Sequence, residues 1–231
     1  MLNEIVLIVF YVAVLLYSVI LHEVSHGIAA LYLGDPTAKY AGRITANPLK
    51  HIDPMMTIFV PIFMLILSGG RFAFGGAKPV PYNPYNLRNQ KWGPTLVALA
   101  GPGSNIAIAI IAAILARIID LPMAVKVDII NNFINWGSIS QVISGSGTAI
   151  FFELLVMVIF WNVLLAFFNL IPIPPLDGSK LLFAAINVRM ETMAIMEQFG
   201  FIILLMFIIL FSGPLGAFLN LMLNLFLGIT I

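Results

Sequence analysis

The chain has no cysteine, only three histidines and little charge: of 231 residues, 9% are Asp, Glu, Lys or Arg. Without thiols there can be no disulfide scaffold and no Cys-ligated metal, so any metal must be held by histidine and carboxylate. The formal net charge is +1 and the basic residues are dispersed, which leaves no electrostatic footprint for nucleic acid. No basic segment precedes the first apolar run and no small-residue cleavage site follows it, so that run is not read as a removable signal peptide. In place of charge the chain is 61% hydrophobic, with a mean hydropathy of +1.06. That exceeds what a soluble core requires and marks an integral, multi-pass membrane protein.

Its expected fold is all-α, with about four to six membrane segments. The clearest spans are residues 3 to 33, 94 to 116 and 149 to 171, and a fourth apolar region, 198 to 231, is interrupted by Ser212-Gly213-Pro214. That interruption fits one kinked helix or two short ones. Residues 54 to 68 are too short for a full span and contain Pro61, so a re-entrant or interfacial piece is expected. The patterns at 41 to 48 and 72 to 84 suggest short extended elements flanking it. Lys126 to Gln141 reads as an amphipathic interfacial helix. Residues 1 to 231 are read as one domain.

The most informative residues lie in the last third of the first span: His22-Glu23-Val24-Ser25-His26. Residues four apart share a helix face, so both imidazoles can address one metal ion while Glu23 projects beside them. This is the HExxH arrangement, in which zinc activates a water and the glutamate serves as its base in peptide hydrolysis. Ionisable groups are costly at membrane depth, and there they signal function by default. His51, the remaining histidine, sits in a loop with no helical partner at metal spacing and is read as an ordinary interfacial residue.

A second informative run, Asn169-Leu170-Ile171-Pro172-Ile173-Pro174-Pro175-Leu176-Asp177-Gly178, ends a span with prolines that stop regular helix. Asp177 could supply the carboxylate that completes a catalytic metal site, or it could cap the helix that follows. With these two motifs in order, the chain resembles the site-2 protease family of intramembrane zinc metalloproteases, whose signatures are HExxH and NxxPxPxLDG. Gly101-Pro102-Gly103-Ser104-Asn105 fits the family's Gly-Pro-x-x-Asn element as well.

The resemblance implies that His22, His26 and Asp177 bind one Zn2+ and that Glu23 is the general acid/base. It further implies that Asn105 and Asn169 position the substrate, and that the extended segments form a membrane-associated β element aligning an unwound strand. Many members continue LDG with Gly-His, whereas Ser179-Lys180 follow here, and the form expected is compact, without a PDZ domain. The implied substrates are membrane proteins with transmembrane helices, cleaved within the lipid bilayer.

Competing readings are a divalent metal-ion transporter and a catalytically inactive scaffold. The first needs a polar pathway through helix halves that here are almost free of polar residues. A serine intramembrane protease would need a Gly-x-Ser-Gly motif, which is absent. For Asp177 to meet the histidines, the first and 149 to 171 helices must run parallel, so residues 54 to 68 must enter and leave on one side. Of the eleven basic residues, that topology puts nine beside the active-site end and leaves Arg117 and Lys126 on the other side. By the positive-inside rule the site then faces the cytoplasm, most simply at the cell membrane.

Overall fold

The computed structural model describes residues 2–67, 69–70, 75–133, 147–186 and 188–231. Every regular element among them is helical, and four helices are long and apolar enough to cross a membrane. These are α1 (Leu2–Tyr32), α4 (Gly93–Ile118), α6 (Gly147–Asn169) and α9 (Gly200–Gly228). The shorter helices are α2 (Thr37–Tyr40), α3 (Val60–Leu67), α5 (Met123–Asn132), α7 (Gly178–Ala185) and α8 (Met190–Gln198). The chain divides into two compact units, Met1–Ser18 with Pro102–Ile231, and Val19–Gly101. Both α1 and α4 are continuous through the division.

In the first unit, alanines at 109, 112, 113 and 116 give α4 a flat face against Phe152, Val156, Ile159 and Val163 of α6. Small residues let helix backbones approach closely where lipid supplies no hydrophobic drive between helices. A buried polar knot ties the contact. Asn105 donates to Ser18 O (3.2 Å) and to Asn162 Oδ1 (2.6 Å), and Asn162 donates to Ser18 Oγ (2.9 Å). At the far end of α4, Lys126 of α5 donates to the carbonyls of Ala116, Arg117 and Thr230, satisfying acceptors that a helix C-terminus leaves unpaired. Residues 134 to 141 of the expected interfacial helix lie outside the described residues. The region 198 to 231 forms one helix with a kink. Phe211 leaves helical geometry (φ −118°, ψ 22°) just before Pro214, whose ring displaces the carbonyl four residues back and supplies no N–H.

The second unit follows the end of α1. Gly34 takes φ +109°, the left-handed conformation that closes a helix at little cost only in glycine. Asp35 then turns inward, accepting from Thr37 Oγ1 (2.5 Å), Asn83 N (2.6 Å) and Asn86 Nδ2 (2.8 Å). Asp53 caps a π-helical turn, Pro54–Phe59, by accepting from the N–H groups of Met55 and Met56, and α3 continues from it. At 1.5 Å per residue, the fourteen residues Pro54–Leu67 reach about 21 Å, short of the ~30 Å hydrocarbon core. The excursion returns to its origin: Lys78 N donates to His51 O (2.8 Å) and Gly76 N to Met56 O (3.1 Å).

The expected β element is not found among the described residues. No strand occurs among the described residues; 75 to 83 are irregular, and 41 to 47 are turns and bends. Pro79, Pro81 and Pro84 remove donors that a ladder would need. Asn47 and Asn83 cap short 3-10 turns at Pro48–Lys50 and Pro84–Asn86. Residues 71 to 74 lie outside the described residues.

Candidate active site

His22, Glu23 and His26 form the one cluster of potential metal-binding side chains among the described residues, with one ligand atom from each within 4.8 Å of the others. The i, i+4 spacing on α1 places the two imidazoles 4.6 Å apart, centroid to centroid, and 87° between planes. His26 Nδ1 lies 2.7 Å from the Val97 carbonyl. A carbonyl can only accept, so Nδ1 carries the proton and the lone pair sits on Nε2. A backbone carbonyl fixing one ring nitrogen so that the other can bind metal is the usual arrangement around ligating histidines.

Gly101, on the opposing turn of α4, shows where those lone pairs converge. A Cβ added there would lie 2.5 Å from His26 Nε2 and 2.6 Å from His22 Nε2. Both nitrogens therefore border the same small space, which any side chain at 101 would fill. Two convergent imidazole nitrogens beside a carboxylate suit a divalent cation of borderline softness, so these residues fit a zinc ion. What the close approach at Gly101 admits is the histidine pair.

Glu23 Oε2 accepts a hydrogen bond from Val80 N at 2.8 Å, so the segment 78 to 80 crosses the helix at the glutamate. His51 is buried and bonded through Nε2 to Thr45 O (2.8 Å). That bond braces its loop.

The other expected site residues belong to the first unit. Asp177 occupies the turn before α7, and its side chain makes no capping hydrogen bond to that helix. The turn is folded tightly onto the end of α6: a Cβ at Gly178 would meet Leu170 O at 2.2 Å. Ile171 and Leu176, together with Leu204 of α9, form a small apolar cluster beneath it. Burial pushes the Lys180 ammonium down to about 8 against the opposing pull of Asp177, and Glu197 pairs with it. Asn169, at the end of α6, donates to Leu165 O (2.9 Å). Asn105 is 0% exposed, and its Nδ2 belongs to the interhelical knot. Val80 and Arg43 carried no signal in the sequence, because what they offer here is a backbone N–H and a cation bound to backbone carbonyls.

Residues 10–212 match the family described as Peptidase family M50. The chain is 35% identical over 211 residues to YwhC of Bacillus subtilis (strain 168), a protein named provisionally as a zinc metalloprotease; the match covers 90% of this chain and 83% of that one. It is 28% identical over 195 residues to Rip2 of Mycolicibacterium smegmatis, named in the same way, covering 84% of this chain and 64% of the relative. Rip2 of Mycobacterium tuberculosis (strain H37Rv) is 28% identical over 204 residues, with 86% and 65% covered. The chain thus spans less than two thirds of the length of the Rip2 proteins. No solved structure matches it.

Proposed function

The chain belongs to peptidase family M50 and is a membrane metalloprotease, and from that premise we propose that it is an intramembrane zinc endopeptidase, cleaving peptide bonds within or near transmembrane segments of membrane protein substrates. The observation that carries this reading is the convergence of the His22 and His26 Nε2 atoms on one space beside Gly101, with Glu23 adjacent. In this reading residues 1 to 231 act as a single protease domain in the cell membrane, with the site toward the cytoplasm.

His22 and His26 supply two ligands and Asp177 the third, one zinc per chain. A zinc ion held by these residues would supply Lewis-acid chemistry, polarising the scissile carbonyl and making water nucleophilic near neutral pH. Glu23 takes the proton of the attacking water and returns it to the departing amine. Val97 O keeps His26 in the tautomer that leaves Nε2 unprotonated. Asn169, at the mouth of the proline-rich turn, and Asn105 position the substrate strand.

Two variants test the assignment on the full chain in detergent, with a helical membrane substrate. Glu23→Gln keeps zinc by elemental analysis and loses at least about 10²-fold in cleavage rate, the scale of a general base. Asp177→Ala loses most of its zinc, because two imidazoles leave the site incomplete. Near wild-type cleavage by the first variant removes Glu23 from the role of base. Full zinc content in the second assigns the third ligand elsewhere.

A further inference from the structure

We infer that Arg43 is a positioning residue for this reaction: bound to the carbonyls of Lys78 and Pro79, it sets the backbone N–H of Val80 against the Glu23 carboxylate. The inference rests on the reading of Glu23 as the base.

Glu23 Oε2 accepts from Val80 N at 2.8 Å, across 57 residues of sequence. Among the described residues no donor binds Oε1, so one oxygen is fixed and the other is left to take the proton of water. Hydrogen bonds to a carboxylate are short and strongly directional, and this one decides which way the carboxylate plane faces. Nothing in a β ladder holds Val80 in place, since residues 75 to 83 form no strand and the flanking Pro79 and Pro81 have no N–H to give. The segment is fixed instead by other elements: Lys78 N donates to His51 O (2.8 Å), and the carbonyl side of the same stretch is held by Arg43. Arg43 Nη2 donates to Lys78 O (2.5 Å) and lies 3.4 Å from Pro79 O. On the other side, Val80 Cγ1 would lie 2.9 Å from a Cβ placed on Gly27, the residue after His26.

The chemistry of Arg43 argues against a purely structural strut. It is 7% exposed, no carboxylate pairs with it among the described residues, and its Nε is buried without a hydrogen-bond partner. A neutral donor would brace a loop at far lower desolvation cost than a guanidinium facing carbonyls alone. Departures of this kind from local economy are expected where the site depends on the geometry they enforce. A planar guanidinium also reaches two successive carbonyls in a way that a lysine ammonium only partly reproduces. Removing Arg43 releases the carbonyls of Lys78 and Pro79 while Lys78 N stays on His51 O, so the stretch from Pro79 onward loosens, Val80 N–H leaves Glu23, and the base loses its orientation while His22 and His26 remain as they are. Displacements of about 1 Å in such a constellation cost up to ~10²-fold in rate.

The test uses the full zinc-loaded chain in detergent with a transmembrane peptide, comparing Arg43→Gln, Arg43→Lys and Val80→Pro, with Glu23→Gln as reference. Arg43→Gln is expected to lower kcat by about 10- to 10²-fold, with KM and zinc content near wild type. Arg43→Lys recovers part of that loss, because it keeps a cationic donor. Val80→Pro, which removes the N–H with Arg43 intact, reproduces the kcat loss, and the double variant loses no more than the worse single one. An unchanged kcat in Arg43→Gln beside an inactive Glu23→Gln overturns the inference and leaves the proposed function standing. A loss confined to KM also overturns it, assigning the segment to substrate binding. If Arg43→Gln does not fold, Val80→Pro and Arg43→Lys decide: wild-type kcat in a folded Val80→Pro refutes the positioning role. Activity in Glu23→Gln refutes the base assignment itself, a separate outcome.

Discussion

Two imidazoles occupy the place where residue 101 would carry a side chain. A methyl group there would come within 2.5 to 2.6 Å of His26 Cε1, His26 Nε2 and His22 Nε2, distances that no Cβ tolerates, and α4 cannot give way without disturbing its alanine face. Gly101→Ala should therefore fold yet bind zinc at least about tenfold more weakly, the usual scale when support of a ligating histidine is disturbed. Gly103→Ala is the matched control. Nothing lies within 4 Å of its added methyl, and alanine favours the helix by about 1 kcal/mol, so its zinc content should equal wild type. Equal zinc affinity in both variants would show that the histidine pair does not bind metal at that space. The pairing of His22 with His26 was legible from spacing alone, because helical periodicity turns i, i+4 into adjacency. Gly101 was legible only as the first residue of the Gly-Pro-x-x-Asn element. Val97 O and Val80 N–H were not legible at all, since a backbone group has no signature in residue identity and both contacts link residues more than fifty positions apart.

At the scale of elements, the long helices followed directly from apolar length, and their observed limits differ from the expected ones by a few residues. The β element did not follow. Its residues have the apolar content of strands, but prolines at 79, 81 and 84 deny it a ladder, and the segment is instead fastened by side chains of distant elements. Asp35 is one such fastening, joining the end of α1 to the 3-10 turn Pro84–Asn86. Burial alone would raise its carboxyl pKa, yet the hydrogen bonds from Thr37, Asn86 and the backbone of Asn83 outweigh it and hold the value below the usual carboxylate range. The folded state therefore favours the ionised form. Its stabilising contribution is complete above the ordinary pKa of about 3.9 and is lost as pH falls through the lowered folded value. Asp35→Asn should lower thermal stability at pH 7, by about 1.5–3 kcal/mol if one charged hydrogen bond goes unmade. It should also flatten the decline of the melting midpoint between pH 5 and 3 relative to wild type, as read by thermal unfolding in detergent. An equally steep acid limb in the variant would assign that decline to other carboxylates.

For the whole molecule, the proposed ligand set constrains how the chain crosses the bilayer. If Asp177, after the end of α6, is to ligate the same ion as the histidines near the end of α1, the proposal requires α1 and α6 to run parallel, with α4 as the single crossing between them. The excursion from Pro54 to Gly75 must then begin and end on one side. Its apolar helix is shorter than the hydrocarbon core, and the hydrogen bond from Lys78 N to His51 O brings its two ends together, which supports that reading. In the proposed orientation, that side is the cytoplasm. Because the chain has no cysteine, single thiols report on this without background. Ala46→Cys and Tyr85→Cys flank the excursion at exposed positions outside the Asp35 network, and Asp120→Cys lies beyond the far end of α4. With an impermeant maleimide on sealed, inside-out vesicles, the thiols at 46 and 85 should both label and the one at 120 should not; right-side-out vesicles should reverse the pattern. Labelling of 46 and 85 from opposite faces would mean that the excursion crosses the membrane. Asp177 would then open on the face opposite His22 and His26, and the third ligand would have to be sought elsewhere.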